Sequence, residues 1–306
     1  MPWPLLWVPV TIAAAGAQVF RNGAQASLTS RIGTLGATQV RFIYGLPFAA
    51  LFLALALWIG GASLPPVGPA ALGWCLLGAL CQIAATALML LVMRDRAFGV
   101  AYAYIKTEPV LVALLGAVVL GDMLSPLAWL AVGVVTAGVL LASTRPDDAG
   151  RLLREGRPIF LGTLGGGLFG LSAIAFRAAI EALPASGPGG GFVVRSLAML
   201  VLALAIQSAV LGVWLALRRR EAFLGSLREW RVSLGAGFLG AAASSGWFIA
   251  FALTAAANVR TLALIEMPIA ALVSRRISGR AMARHEWTGM AIILLGLALL
   301  LYAHAA

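Results

Sequence analysis

Charged residues are scarce in this chain of 306 residues. Only 11% of the residues are Asp, Glu, Lys or Arg, whereas a soluble domain carries about a quarter. Hydrophobic residues make up 61%, and the mean hydropathy is +0.98. This composition excludes a soluble enzyme, a disordered chain and a disulfide-rich secreted domain. It also excludes nucleic acid as the partner behind the net charge of +11, because a basic nucleic-acid binder needs polar surface to carry its charge.

Cysteine and histidine are also rare, with two residues of each. Cys75 and Cys81 lie in one apolar stretch, where six residues of helix separate them by about 9 Å, too far for a disulfide. Neither has the spacing of metal ligands, and both His285 and His304 lie near the ends of apolar stretches. We therefore predict no cofactor, no metal site and no catalytic constellation, so the chain is not predicted to be an enzyme.

The chain is instead rich in long apolar stretches. A transmembrane helix needs about 20 apolar residues, so a chain of this length holds about ten helices with their loops. We predict an all-α polytopic membrane protein with ten transmembrane helices, five on each side of a polar linker. The spans are predicted at 4–26, 37–59, 70–93, 97–120 and 126–143, then at 159–181, 191–217, 233–256, 259–275 and 287–304. The N-terminus lacks the basic region of a cleaved signal peptide, so we expect the first span to be retained.

The two halves of the chain resemble each other. Short matches recur in the same order at nearly constant spacing: Phe20-Arg21 and Phe176-Arg177, Arg41 and Arg195, Glu108-Pro109 and Glu266-Met267-Pro268, and Gly121, Trp129 and Gly138 with Gly279, Trp287 and Gly296. A repeat with an odd number of helices enters the membrane inverted the second time, and inverted repeats are typical of secondary transporters. We predict five-helix repeats at 1–143 and 159–306, joined by a polar cytoplasmic linker at 144–158.

Basic residues concentrate on one side of the predicted membrane. Most of the 22 Lys and Arg residues fall in the linkers after spans 1, 3, 5, 7 and 9, and Arg260 is the clearest basic residue on the opposite side. The positive-inside rule places these charged linkers in the cytoplasm. The predicted location is a bacterial inner membrane, with several passes and with both termini outside.

Several segments resemble a known family. The segments are Arg41-Phe42, Thr107-Glu108-Pro109-Val110, Leu120-Gly121-Asp122, Val132-Gly133 and Ala137-Gly138-Val139-Leu140-Leu141. Together they are similar to the EamA-type branch of the drug/metabolite transporter superfamily. The resemblance implies ten helices, a central cavity lined by helices 1–4 and 6–9, and alternating access. It also implies the export of amino acids or other metabolites, as in the aromatic amino acid exporters of the YddG type. The second copy departs from the pattern, because Arg280 follows Gly279 where the family usually has an acid.

Charged residues inside predicted spans are the first candidates for a substrate site. A charge at the bilayer centre costs at least about 2.5–3.5 kcal/mol, so such a residue usually faces a cavity or another charge. The candidates are Lys106, Glu108, Arg177 and Glu266. For the two glutamates we leave two alternatives open, a place on the transport pathway or a structural ion pair with an arginine of a neighbouring helix. Pro109 and Pro268 are predicted kinks or hinges.

Uncharged polar and aromatic residues form a second set of candidates. Gln18 and Asn22 share one face of span 1, which we expect to line a cavity or to contact a partner helix. The remaining candidates are Gln82, Tyr102, Ser244 and Trp247. An aromatic wall with a few polar groups suits an amphipathic solute, although ordinary packing is the alternative for the aromatic residues.

The leading hypothesis is a secondary transporter that exports small amphipathic metabolites, with neutral or aromatic amino acids as the best guess. The expected partners are a small-molecule substrate and the lipid bilayer, without nucleic acid. Proton coupling is a further hypothesis, since burial favours the neutral form of a carboxylic acid. One alternative is an organic-anion or sugar-phosphate exchanger that binds its anion at Lys106 or Arg177. Another is a membrane sensor or enzyme that transports nothing. The oligomeric state is left open.

Overall fold

The computed structural model describes residues 5–95, 108–143, 156–185, 191–278 and 283–305, and regular secondary structure in these ranges is entirely helical. The all-α prediction is therefore confirmed for this part of the chain. The helices are α1 (Trp7–Ile43), α2 (Gly45–Gly60), α3 (Pro69–Asp95), α4 (Glu108–Val119), α5 (Pro126–Ser143), α6 (Gly156–Glu181), α7 (Phe192–Arg218), α8 (Arg220–Arg228), α9 (Trp230–Leu253), α10 (Ala256–Leu262), α11 (Glu266–Ser278) and α12 (Arg284–Ala305). A 3-10 turn, Ala263–Ile265, joins α10 to α11.

In the described part of the chain, seven helical segments are long and apolar enough to cross a membrane. They are Arg31–Gly60, Pro69–Met89, Pro126–Ser143, Phe160–Glu181, Phe192–Arg218, Trp230–Leu253 and Arg284–His304. Three predicted spans are not among them. Of 97–120 the structure describes the 12-residue helix α4, and 259–275 is divided by the 3-10 turn. The third, 4–26, falls largely in the first part of α1, before the candidate span Arg31–Gly60. The count of ten spans therefore stays a prediction.

The predicted linker between spans 1 and 2 is helical rather than a loop, which corrects the expected boundary. Helix α1 runs for 37 residues, which would be about 55 Å if it were straight and exceeds what a bilayer core needs. It is interrupted at Gly33, whose φ of 72° and ψ of 170° are accessible essentially only to glycine. The interruption divides the segment into two helices at a point that lies inside the predicted linker.

The ninth predicted span is a broken helix. Helix α10 has 7 residues, the 3-10 turn has three, and α11 continues with 13. Pro268 explains where the break falls, because proline has no N–H for the carbonyl of Leu264 and its ring crowds that carbonyl. Three-residue 3-10 turns relieve such a clash at low cost. The break therefore lies just before the proline that the sequence predicted as a hinge.

The described helices group into two compact units, each made of two chain segments. Unit 1 comprises Met1–Ile83 with Ala175–Thr254, and unit 2 comprises Ala84–Ile174 with Ala255–Ala306. In unit 1, α1 packs on α9 and α2 packs on α7; in unit 2, α5 packs on α12 and α4 packs on α10. Each unit thus draws on both halves of the sequence, and the predicted repeat boundaries stay predictions.

Glycines bring α5 and α12 of unit 2 into backbone contact. A methyl group on Gly138 would lie 2.8 Å from the amide nitrogen of Ile293, and one on Gly296 would lie 2.9 Å from that of Val135. At Gly289 it would lie 2.5 Å from the amide nitrogen of Ala142. No larger residue fits at these three positions without moving a backbone, so the small side chains set the distance between the helices.

Candidate functional site

The strongest polar feature of unit 2 is an ion pair between α4 and α10. The Arg260 guanidinium donates two hydrogen bonds to the Glu108 carboxylate, Nε to Oε1 at 2.5 Å and Nη2 to Oε2 at 2.7 Å. The side chains are 4% exposed for Glu108 and 18% exposed for Arg260. Two parallel N–H···O bonds form the strongest geometry available to this pair of groups. Arg260 therefore compensates a carboxylate that would otherwise be too costly to bury.

Helix α10 is held on a second side by a histidine near the end of α12. Asn258 Nδ2 lies 2.8 Å from His304 Nε2, and His304 Nδ1 lies 2.9 Å from the carbonyl oxygen of Leu300. Since a carbonyl oxygen can only accept, Nδ1 carries the proton and Nε2 accepts from Asn258. Asn258 and Arg260 are two residues apart and point to different sides of α10, so the short helix is fixed to both α12 and α4.

Glu266 is the other buried carboxylate of unit 2. It is 3% exposed and is the first residue of α11, directly after the 3-10 turn. A carboxylate in the first turn of a helix is stabilised by the helix dipole. Glu266 therefore marks the resumption of the broken helix, and Pro268 follows it within the same turn.

In unit 1, two predicted site residues contact each other across the packed helices α1 and α9. Trp247 Nε1 donates a hydrogen bond to Gln18 Oε1 at 3.1 Å. Ser244 is buried one turn earlier on α9, and Arg21 is buried one turn later on α1. The close approach of the helices is set by small residues, because a methyl group on Gly246 would lie 2.7 Å from the Cβ of Ala14. The Gln18 side chain thus contacts a partner helix.

A second uncharged pair in unit 1 joins α3 to α7. Gln207 Nε2 donates to Gln82 Oε1 at 2.7 Å, and Gln207 is buried. The sequence predicted Gln82 as a site residue but not Gln207. Paired amides satisfy each other within an apolar surrounding and carry no net charge, so they exchange partners at a lower cost than an ion pair does.

The other site residues predicted from the sequence do not take part in these cross-helix pairs as far as the structure describes them. Arg177 donates from Nε to Glu181 Oε1 at 2.8 Å on the same helix, and that glutamate is 49% exposed. Pro109 is the second described residue of α4, which begins directly after residues that the structure does not describe, and its predicted role as a kink stays a prediction. Tyr102 and Lys106 lie outside the described residues, as does the side chain of Asn22, whose backbone belongs to α1.

A cavity of about 500 Å³ in unit 1 lies away from these residues. It is formed by the end of α2 and the start of α7, and its lining includes Phe52, Leu55, Ile59, Phe192 and Leu197. Its walls are almost entirely apolar, whereas a solute site also needs a few polar groups that fix the orientation of the ligand. Among the described residues, no group of three or more His, Cys, Asp or Glu is placed to hold a metal ion.

Arg260 and Gln207 are the polar residues that sequence reasoning missed. Arg260 was assigned to a linker at the start of span 9, but α10 already begins at Ala256, which places the arginine inside a helix. One signal was available, because Arg260 is the clearest basic residue on the side that otherwise lacks them. A buried glutamate in a neighbouring span needs such a charge. For Gln207 no comparable signal exists, since a single amide in a long apolar stretch does not identify its partner.

Comparison with known proteins finds one family model that matches part of the chain and a solved structure with a similar fold. The model of the EamA-like transporter family matches residues 7–144. One crystal structure, described only as that of a protein, has a TM-score of 0.70 and 15% sequence identity, and the alignment covers 98% of this chain and 99% of the other. At this identity the likeness concerns the fold alone. The comparison with curated proteins found no significant match.

Proposed function

We propose that this chain, which belongs to the EamA-like transporter family on the match over residues 7–144, exports a small amphipathic metabolite. The family match supports a multi-pass membrane transporter. The proposal adds the substrate class, for which neutral or aromatic amino acids are the leading candidates, as in exporters of the YddG type. It also adds alternating access as the mechanism.

The observation that carries this substrate class is the buried pair of Glu108 and Arg260. An amino acid is a zwitterion, with a carboxylate that suits a guanidinium and an ammonium group that suits a carboxylate. A protein pair of both signs therefore complements both ends of the substrate. Without substrate the two side chains neutralise each other, which keeps the empty transporter stable in the membrane. A site for an organic anion alone would not need the glutamate.

Unit 1 contributes separate, uncharged candidates for substrate contacts. Gln18 with Trp247 and Gln82 with Gln207 form hydrogen-bonded pairs within unit 1, and Ser244 is buried one turn before Trp247. Such pairs can exchange their hydrogen bonds for hydrogen bonds to a solute without leaving an unpaired charge in the membrane. From the sequence we also propose substrate contacts at Asn22, Tyr102, Lys106, Arg177 and Glu266.

Two features of the packing support inverted five-helix repeats. Gly138 and Gly296 are 158 residues apart, and so are Val135 and Ile293. Gly138 contacts Ile293 and Gly296 contacts Val135, so exchanging the two sequence copies maps one contact onto the other. Each compact unit also contains matching predicted spans, 2 with 7 in unit 1, and 4 with 9 and 5 with 10 in unit 2. A two-fold relation between the copies would produce these matches, and on this basis we propose two repeats of five spans each.

The proposed setting is a bacterial inner membrane with the charged linkers in the cytoplasm and both termini outside. The distribution of basic residues supports this orientation. Proton coupling through Glu108 or Glu266 belongs to the same proposal, because a buried carboxylate that exchanges partners can also exchange a proton.

Transport of labelled amino acids by purified protein in proteoliposomes tests the substrate. The panel contains neutral, aromatic, acidic and basic amino acids together with a sugar phosphate, and protein-free liposomes serve as the control. We expect saturable flux for at least one neutral or aromatic amino acid. Saturable exchange of the sugar phosphate alone, with an anion required on both sides, would establish the exchanger instead. Absence of flux for every amino acid would refute the proposed cargo.

Variants with Glu108→Gln and Glu266→Gln test the coupling. If Glu266 exchanges a proton rather than binding the substrate, flux driven by a pH gradient falls in Glu266→Gln while counterflow at equal pH persists. In Glu108→Gln both activities fall, because Glu108 is also the proposed partner of the substrate ammonium group and of Arg260. Gradient-driven flux that is unchanged in both variants would exclude proton coupling through these residues.

A further inference from the structure

The short helix α8 connects the ends of two candidate membrane spans. Span Phe192–Arg218 ends two residues before it, and span Trp230–Leu253 begins two residues after it. A nine-residue helix between two spans lies at a membrane surface, whichever side of the membrane that surface faces. Helix α8 is therefore within reach of lipid headgroups.

One face of α8 is used for contacts with α1. Gly225 packs on Ile32, and the Ala222 carbonyl oxygen lies 3.2 Å from the position that a Cβ on Gly36 would take. Ser226 is fully buried, and its carbonyl oxygen accepts a hydrogen bond from the Tyr44 hydroxyl at 3.2 Å. The next residue after α8, Glu229, pairs with Arg31 at 3.1 Å. These contacts hold α8 against the interrupted part of α1.

The opposite face of α8 combines arginines with exposed leucines. Arg220, Leu224, Leu227 and Arg228 are exposed and, at 100° per residue, share an arc of roughly 100°. Alternating charge and aliphatic surface is typical of helices that lie in the membrane interface, with leucines at the acyl boundary and arginines at the headgroups. Trp230 is exposed at the end of the segment, and the Arg231 guanidinium lies 5.5 Å from its ring centroid.

Arginines are concentrated on α8 and in the residues that flank it. The α8 basic surface consists of Arg218, Arg219, Arg220, Arg228 and Arg231, all exposed. Glu221 is the one exposed acid within the described segment 218–231. Among the residues that the structure describes, Arg218, Arg219, Arg220 and Arg228 have no carboxylate within ion-pair distance. Five basic groups beside exposed leucines complement an anionic headgroup on an acyl chain, whereas a soluble anion would use only the arginines.

We propose that the α8 basic surface is a binding site for anionic phospholipid, with phosphatidylglycerol as the model ligand. The arginines bind the phosphodiester, and Leu224, Leu227 and Trp230 contact the adjoining acyl region. Because α8 is fixed to Ile32 and Gly36 on either side of the Gly33 break, bound lipid holds that break in place. Lipid binding here is independent of the substrate, so the inference stands apart from the proposed amino acid cargo.

The test uses the purified, delipidated full chain in neutral detergent, so that the orientation in a membrane plays no part. Native mass spectrometry counts bound phosphatidylglycerol and phosphatidylcholine with matched acyl chains during a titration. We expect selective binding of phosphatidylglycerol. In the triple variant Arg218→Gln/Arg219→Gln/Arg220→Gln its affinity falls at least about tenfold, since each arginine near an anionic surface contributes on the order of fivefold.

Matched variants and a competitor separate the alternatives. The triple lysine variant at the same positions retains binding, and Arg284→Gln, an exposed arginine at the start of α12, leaves it unchanged. Leu224→Ser/Leu227→Ser lowers the affinity at intact charge. Gel filtration and the thermal midpoint show whether each variant is folded. If the glutamine variant is not folded, the lysine variant and the leucine variant still test the proposal. Equal binding of phosphatidylcholine, unchanged binding by the glutamine variant, or complete displacement by millimolar inorganic phosphate would overturn the proposal.

Discussion

The two compact units bury polar side chains in different ways. In unit 1 the described cross-helix pairs are uncharged, Trp247 with Gln18 and Gln207 with Gln82, and they lie in the same unit as the buried Arg21. Unit 2 has the uncharged pair of Asn258 and His304, but it also buries a pair of opposite charges, Arg260 with Glu108. An uncharged pair that opens leaves behind dipoles, whereas an ion pair that opens leaves behind two charges in a medium of low dielectric constant. The difference teaches that opening the pair in unit 2 costs more than opening an uncharged pair, unless both charges find new partners. The zwitterionic substrate of the proposed function would supply both partners.

The largest expected effect follows from removing one partner of the ion pair. Arg260→Ala leaves the Glu108 carboxylate buried without its guanidinium and lowers the free energy of unfolding by about 3–5 kcal/mol. Thermal or chemical unfolding of the purified protein in detergent measures this change. The double variant Glu108→Gln/Arg260→Gln regains most of the loss, because no charge remains.

Arg177→Ala in unit 1 is the control for that prediction. Its partner Glu181 is half exposed and already solvated, so the free energy of unfolding changes by less than about 1 kcal/mol. Equal effects of Arg260→Ala and Arg177→Ala would show that burial does not distinguish the two ion pairs.

The next largest effect is expected at the backbone contact between α5 and α12 in unit 2. Gly289→Val places a side chain against Ala142, which has no room to move, and costs about 1–3 kcal/mol of stability. The matched change Gly133→Val on α5 meets open space and is close to neutral. Gly138→Val and Gly296→Val are expected to cost similar amounts, since their contacts are equivalent in the two copies. A large difference between these two would argue against the two-fold relation.

A smaller effect is expected for the uncharged pair between α3 and α7. Gln82→Leu and Gln207→Leu each cost about 0.5–2 kcal/mol, and the double variant is nearly as stable as the parent because neither amide remains unsatisfied. A double-mutant cycle measures the coupling between the two side chains. A coupling free energy of zero would mean that the hydrogen bond at 2.7 Å contributes nothing in the membrane protein.

The smallest effect on stability is expected at the contact of α1 with α9. Gln18→Leu removes the acceptor of the Trp247 N–H and lowers the free energy of unfolding by less than about 1 kcal/mol. If the pair also binds substrate, the KM for the transported amino acid rises while the maximal rate is retained. Proteoliposome kinetics separates these quantities, and an unchanged KM would assign the pair to packing alone.

Sequence reasoning identified the helical class, the resemblance to the matched family and the embedded carboxylates, because hydropathy and a charge inside an apolar stretch are local signals. It also located Pro268, whose missing N–H produces a break wherever the surrounding fold lies. It missed Arg260 as the partner of Glu108, because the pairing joins residues 152 positions apart and depends on where α10 begins. The predicted linker between spans 1 and 2 is helical on both sides of Gly33, and the break at Gly33 lies within it.

Counterflow in proteoliposomes tests the central claim most directly, namely that the Glu108 and Arg260 pair is exchanged for a zwitterion. Labelled neutral or aromatic amino acid is followed in the parent protein and in Glu108→Gln/Arg260→Gln, after gel filtration has shown that both are folded. The account predicts saturable counterflow in the parent and a loss of at least about tenfold in the double variant, since two charge-assisted contacts each contribute about 1.5–3 kcal/mol. Counterflow of the same amino acid with unchanged KM and rate in the folded double variant would contradict it.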